Sequence, residues 1–150
     1  MSFGVLTLDN VMSFTPGLKA PNGFKNFSRP EEGFIWSTAK WCEISFPFDP
    51  GAAPPPAFCD LILDLDAFKV DGETEGQTIK VFLNGLRIGA RFVDQRVTAT
   101  LKIRSHILTR VDNLLVIDTP EAHSPSDFGD ADKRTLGIKL FSIRLRRPTQ

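Results

Sequence analysis

Hydrophobic and polar residues alternate along most of this chain with a period of two. In CDLILDLDAF, Leu61, Leu63, Leu65 and Ala67 share one side while Asp60, Ile62, Asp64 and Asp66 share the other, which predicts a half-buried β-strand. QTIKVFLNGLRIGARFV sets Ile79, Val81 and Leu83 on one side, reaches Asn84-Gly85 and resumes with Leu86 and Ile88. Asn-Gly between two alternating runs is the strongest local signal for a hairpin. VTATLKI alternates Val97, Ala99, Leu101 and Ile103 with polar residues, and NLLVIDT follows an Asp-Asn turn, so both predict strands. In LGIKLFSIRLR the apolar phase changes from Ile138 and Leu140 to Phe141, Ile143 and Leu145, which points to a β-bulge.

No stretch has convincing helical periodicity; the segment 104–115 offers at most a short helical turn between strands. A first strand is expected near Phe3 to Leu8, followed by a loop from Leu18 to Arg29. DPGAAPPPAF, residues 49–58, must run over the surface, because proline cannot donate to a central ladder. The expected fold is all-β: one antiparallel two-sheet β-sandwich of seven or eight short strands, of jelly-roll type, spanning residues 1–150 as a single domain.

Composition narrows the function classes. The 150 residues carry 18 basic and 18 acidic side chains, a balance that does not advertise a nucleic-acid or anionic-membrane partner. No apolar run is long enough to span a bilayer, and no secretion signal is visible, so a cytoplasmic location is expected. The two cysteines, Cys42 and Cys59, have no metal-ligand spacing and are expected as buried free thiols. Thirteen Phe and no Tyr put most of the aromatic content in the core and leave Trp36 and Trp41 to be explained.

In WCEISFPF the alternation turns Cys42, Ile44, Phe46 and Phe48 inward and Trp41, Glu43 and Ser45 outward. An outward tryptophan beside a carboxylate suits a sugar, whose apolar face lies on the ring while polar neighbours bond its hydroxyls. Trp41 under a loop or against a second subunit is the competing reading, and Trp36 is expected at the edge of the core. Asp64 and Asp66 share a strand face and would add hydrogen-bonding carboxylates, or stand solvated.

Asp127, Asp130 and Asp132 lie in one loop with Lys133 and Arg134. Asp127 and Asp130 are the candidates for a structural calcium, but the spacing fits no EF-hand, and an acid-arginine network is preferred. Neither His106 nor His123 has zinc-ligand neighbours, and no nucleophile elbow or phosphate loop is present, so no catalytic residue is assigned and no other cofactor expected.

The succession EEGFIWS, LDLDAF, IKVFLNG and NLLVIDTPEAHSPSDFGDADKRTLGIKLFSIRL resembles the jelly-roll, carbohydrate-binding-like domains attached to bacterial glycosyltransferases and other polysaccharide-assembly proteins. The resemblance covers roughly the last four-fifths of the chain, with S-P, a short acidic loop, D-x-R-x-L-G-I and a final strand as its most telling part. It implies a β-sandwich in which Pro125, Asp132, Arg134 and Gly137 shape the loop before the last strand. It also implies a non-catalytic module that associates with a glycan, with a glycosyltransferase as partner. A protein-interaction or homo-oligomer module is the first alternative, and a glycan hydrolase or lyase on the same sandwich the second.

Overall fold

A computed structural model describes residues 6–7, 11–14, 23–51 and 56–147. The strands are β1 (Leu6–Thr7), β2 (Val11–Ser13), β3 (Phe24–Lys25), β4 (Ile35–Trp36), β5 (Trp41–Phe46), β6 (Phe48–Asp49), β7 (Phe58–Ala67), β8 (Gln77–Leu83), β9 (Leu86–Val93), β10 (Val97–Arg104), β11 (Asn113–Asp118) and β12 (Ile138–Arg146). The described residues contain no α-helix, only 3-10 turns at Ser105–Ile107 and Pro125–Phe128. The first of these is all the helix that the segment 104–115 forms.

Two antiparallel sheets carry the fold. The first runs β10-β7-β12-β2, with β4 also paired to β12, and the second runs β3-β5-β11-β8-β9. β4, β5, β7 and β8 through β12 form the jelly roll: the chain changes sheet at every step among these eight except the tight β8–β9 hairpin. β1 and β6 form a small parallel pair apart from both sheets. The early strand expected near Phe3 to Leu8 is described only at Leu6–Thr7, and the surface run after Asp49 lies outside the described residues at 52–55. The segment from Leu18 to Arg29 is not all loop, since Phe24 and Lys25 pair with Ile44 and Glu43.

Inward residues of both sheets meet in one core. Ile44 and Phe46 of β5, Leu61, Leu63 and Leu65 of β7, Val81 and Leu83 of β8, Leu115 and Ile117 of β11, and Leu140 and Ile143 of β12 are buried within it. Removing these side chains from water is the main favourable term, at roughly 1.5–3 kcal/mol for each large apolar side chain. Cys42 and Cys59 are both buried free thiols inside this core.

Asn84 and Gly85 turn the β8–β9 hairpin with φ of 50° and 83°, the positive pair that a two-residue type I′ turn requires. β12 carries its bulge between Leu140 and Ser142. The sequence placed Phe141 with the inward set; the bulge instead turns its ring towards Phe34, 5.6 Å away, and beneath the Arg96 guanidinium at 3.7 Å. Asn113, buried at the start of β11, donates to the carbonyls of Phe46 at 3.1 Å and Thr109 at 2.7 Å and accepts from the Thr109 N–H at 2.8 Å. Those bonds fasten the connection after the 3-10 turn to the second sheet.

Candidate functional site

Trp41 opens β5 and points away from the core, because Cys42, Ile44 and Phe46 occupy the alternate inward positions. It is 37% exposed, on the outer face of the second sheet. Glu43 lies two residues along on the same face, and antiparallel pairing sets Asp118 of β11 directly opposite Trp41, with Lys80 of β8 opposite Asp118. On the other flank, β3 brings Lys25 opposite Glu43 and its ammonium to 5.1 Å from the centre of the Trp41 ring. The Asn26 side chain donates to the Trp41 carbonyl at 3.1 Å, which ties β3 to the start of β5.

The result is an indole set among two carboxylates and two ammonium groups on an open sheet face. Asp118, Lys25 and Lys80 escape a sequence reading, since they meet Trp41 only through strand register. The signal that could have found Asp118 is the pairing of two alternating runs, WCEISF and NLLVID, whose outward positions fall opposite each other. The same face continues with Val116, Phe82 and Leu114 on the Glu43 side, while Phe92, 50% exposed on the edge strand β9, lies opposite Thr78 on the other side of the Lys80 row.

Asp64 and Asp66 do not join this group. They project from β7 on the outer face of the first sheet, with the core between them and Trp41. The single site drawn from sequence with Trp41, Glu43, Asp64 and Asp66 therefore divides, because residues outward on opposite sheets of a sandwich face away from each other. Asp64 holds Arg96 through two hydrogen bonds of 3.0 and 2.9 Å. These bonds push the Arg96 guanidinium further up in pKa. Asp66 accepts from the N–H of Ala67 at 2.8 Å.

Trp36 is half-buried within a run of rings on the first sheet. It meets Phe34 at 5.8 Å and Phe68 at 5.9 Å, Phe68 meets His123 at 5.1 Å, and the Lys139 ammonium lies 5.1 Å from the indole. This ring is occupied by its neighbours.

The acidic loop is knitted to its own backbone. Pro125 is buried at the first position of the 3-10 turn, Ser124 accepts from the N–H of Ser126, and Asp127 accepts from the N–H of Ser124 at 3.2 Å. Asp130 accepts from the N–H of Asp132 at 2.8 Å, and Asp132 from that of Arg134 at 2.9 Å. The Arg134 guanidinium closes on Asp132 at 2.8 Å and reaches Glu31 at 3.2 Å, about a hundred residues earlier in the chain. Its hydrogen bonds hold the Asp132 carboxyl below the usual carboxylate range. Gly137 follows where the chain passes tightly between Ser37 and Thr119. Among the described residues, no three His, Cys, Asp or Glu side chains gather as a metal-holding group. No helix among them is long and apolar enough to cross a membrane.

No protein-family model matches the chain, and no curated protein matches it. Among solved structures it is similar to the carbohydrate-binding module CBM36 in complex with calcium and xylotriose, with a TM-score of 0.45 and 10% identity over 91% of this chain and 98% of that one. It is also similar to the salicylyl-acyltransferase SsfX3 from a tetracycline biosynthetic pathway, with a TM-score of 0.43 and 11% identity over 93% of this chain and 42% of that one. Neither likeness bears on what this chain binds.

Proposed function

We propose that this chain is a non-catalytic glycan-binding module, an accessory domain of bacterial polysaccharide assembly with a glycosyltransferase as its partner, and that it docks a sugar ring on Trp41. The observation that carries the reading is the exposed indole with Glu43 beside it and Asp118 opposite on one sheet face. The apolar face of a pyranose covers the ring, its hydroxyls donate to the two carboxylates, and Lys25 and Lys80 donate to its oxygens. Few polar groups around one flat apolar surface are what orient a small ligand. The resemblance of the sequence to glycosyltransferase-associated modules supports the setting in polysaccharide assembly.

Tryptophan fluorescence tests it. Trp36→Phe leaves Trp41 as the sole indole reporter, and a panel of bacterial oligosaccharides titrated with and without calcium should give a saturable change for at least one sugar. A flat response across the panel refutes the reading, and a change that needs calcium brings a metal into the site.

A second reading rests on the rest of the same face, where Val116, Phe82 and Leu114 extend the apolar surface away from Trp41. A surface of this kind also suits a protein partner or a second copy of the chain. Light scattering separates the two: a stable oligomer whose formation shields Trp41 from an added quencher favours the interaction module.

A further inference from the structure

The other outer face carries a concentration of cations that glycan binding at Trp41 does not use. At one end of the first sheet, the register places Lys102 opposite Asp60 and Asp60 opposite Arg146, with Arg104 opposite Phe58 and Arg144 opposite Ile62 in the adjoining rows. Four cations thus flank a single carboxylate, and Asp60 is engaged only by Arg146, at 3.5 Å, among the described ion pairs. The next outward carboxylate along β7, Asp64, is held by Arg96. The Nε atoms of Arg144 and Arg146 are screened from water and have no hydrogen-bond partner among the described residues.

The other two cations are fixed at the surface. The Lys102 ammonium lies 4.4 Å and the Arg104 guanidinium 5.7 Å from the centre of the Phe58 ring. Beside that ring, Arg104, Ser105 and His106 line an open depression of about 560 Å³. Thr98 and Thr100 continue the face along β10 with exposed hydroxyls. Successive outward residues on a strand stand about 7 Å apart, and β10 and β12 about 10 Å apart across β7, so the cations form a grid rather than a point.

Like charges gathered on one sheet face repel, and half-buried guanidinium groups without full hydrogen bonding cost stability. The repulsion is relieved by a ligand that brings several carboxylates at once to the outer guanidinium nitrogens and the ammonium. We propose that this face binds a carboxylated polysaccharide, a polyuronate strand laid across β10, β7 and β12. Arg144 and Arg146 donate to its carboxylates, Lys102 and Arg104 neutralise the flanking ones, and Thr98 and Thr100 bond hydroxyls. A single-stranded nucleic acid fits less well, because it would stack bases on open aromatic faces and Phe58 is already covered by Lys102 and Arg104. This surface lies on the sheet opposite Trp41, and the proposal does not rest on sugar binding there.

Calorimetric titration of the full chain with polygalacturonate, neutral dextran and a poly-dT oligonucleotide tests it. Polygalacturonate should bind, and the affinity should fall as salt is raised. Lys102→Glu with Arg104→Glu, at two exposed positions, should weaken it by about tenfold or more, the equivalent of one charge-assisted hydrogen bond. Trp41→Ala should leave it unchanged. Thermal melts confirm that the variants are folded, and Lys102→Gln with Arg104→Gln replaces the reversal if that pair does not fold. No binding of polygalacturonate, equal affinity for the folded double variant, loss of binding in Trp41→Ala, or tighter binding of poly-dT would each overturn the proposal.

Discussion

Gly137→Ala adds one methyl group at the point where β12 enters the sandwich. Its Cβ would lie 2.7 Å from the Ser37 Oγ, 2.7 Å from the Thr119 Oγ1 and 2.9 Å from the Thr119 Cβ. Ordinary heavy-atom contacts sit at about 3.5–4.0 Å, so the overlap approaches an ångström on two sides. Neither neighbour yields freely: both are fully buried, Ser37 Oγ accepts from the N–H of Ile138 at 2.8 Å, and Thr119 Oγ1 donates to the Ala39 carbonyl at 3.1 Å. The backbone is pinned as well, since the Gly137 carbonyl accepts from the N–H of Phe68 at 2.7 Å. Overpacking costs about 1–3 kcal/mol, and displacing Ser37 would add about 1–3 kcal/mol for the buried donor it leaves unpaired. At about 2–4 °C per kcal/mol for a domain of this size, a total of about 2–6 kcal/mol lowers Tm by roughly 4–24 °C. Calorimetric melts of wild type, Gly137→Ala, Ser37→Ala and the double variant test the cause. If overlap is responsible, Ser37→Ala relieves part of the alanine's cost, and the double variant is more stable than the sum of the singles predicts. A Gly137→Ala melt within about 2 °C of wild type would refute the packing argument.

Two further outcomes follow from the same geometry. Arg134 holds the Asp132 carboxyl below its ordinary value, so this pair stabilises the fold above the unfolded carboxylate value of about 4, and the contribution is lost as pH falls through the lower folded value. The Tm gap between wild type and Arg134→Gln should stay constant from pH 7 to 5 and shrink below about pH 4, whereas a gap independent of pH would contradict the pairing. Burial pushes both the Cys42 and Cys59 thiols up in pKa, so a thiol-reactive disulfide at pH 8 should label the native chain slowly and both cysteines rapidly in denaturant. Fast native labelling would place a thiol outside the core.

The strand architecture was legible because period two is a local property. Leu61, Leu63 and Leu65, or Val81 and Leu83 with the Asn84-Gly85 turn, declare their inward face without reference to any other strand. The bulge in β12 showed as a phase change, yet its consequence for Phe141 did not, because whether the extra residue turns in or out depends on Phe34 and Arg96, remote in sequence. β3 was missed for a similar reason: two residues among Pro, Gly and Asn become a strand only when β5 supplies the partner.

The candidate site was legible to the same degree. The outward setting of Trp41 and Glu43 follows from WCEISF alone, whereas Asp118, Lys80 and Lys25 come to it through register, which requires knowing that β5 lies between β3 and β11. The grouping of Asp64 and Asp66 with Trp41 failed because alternation says which residues point outward but not from which sheet. Arg134 shows the limit in the other direction: its bond to Asp132 is two residues away, but its reach to Glu31 spans 103 residues.

The proposed role of the Trp41 indole is that of a sugar platform and not a structural prop. At 37% exposure the indole still keeps most of its surface from water, so Trp41→Ala should cost roughly 1–3 kcal/mol and leave the chain folded. Calorimetric titration with the oligosaccharide that saturates the Trp36→Phe fluorescence is the direct measurement. Trp41→Ala should abolish this binding while remaining folded; undiminished affinity in a folded Trp41→Ala would contradict a sugar site on the indole.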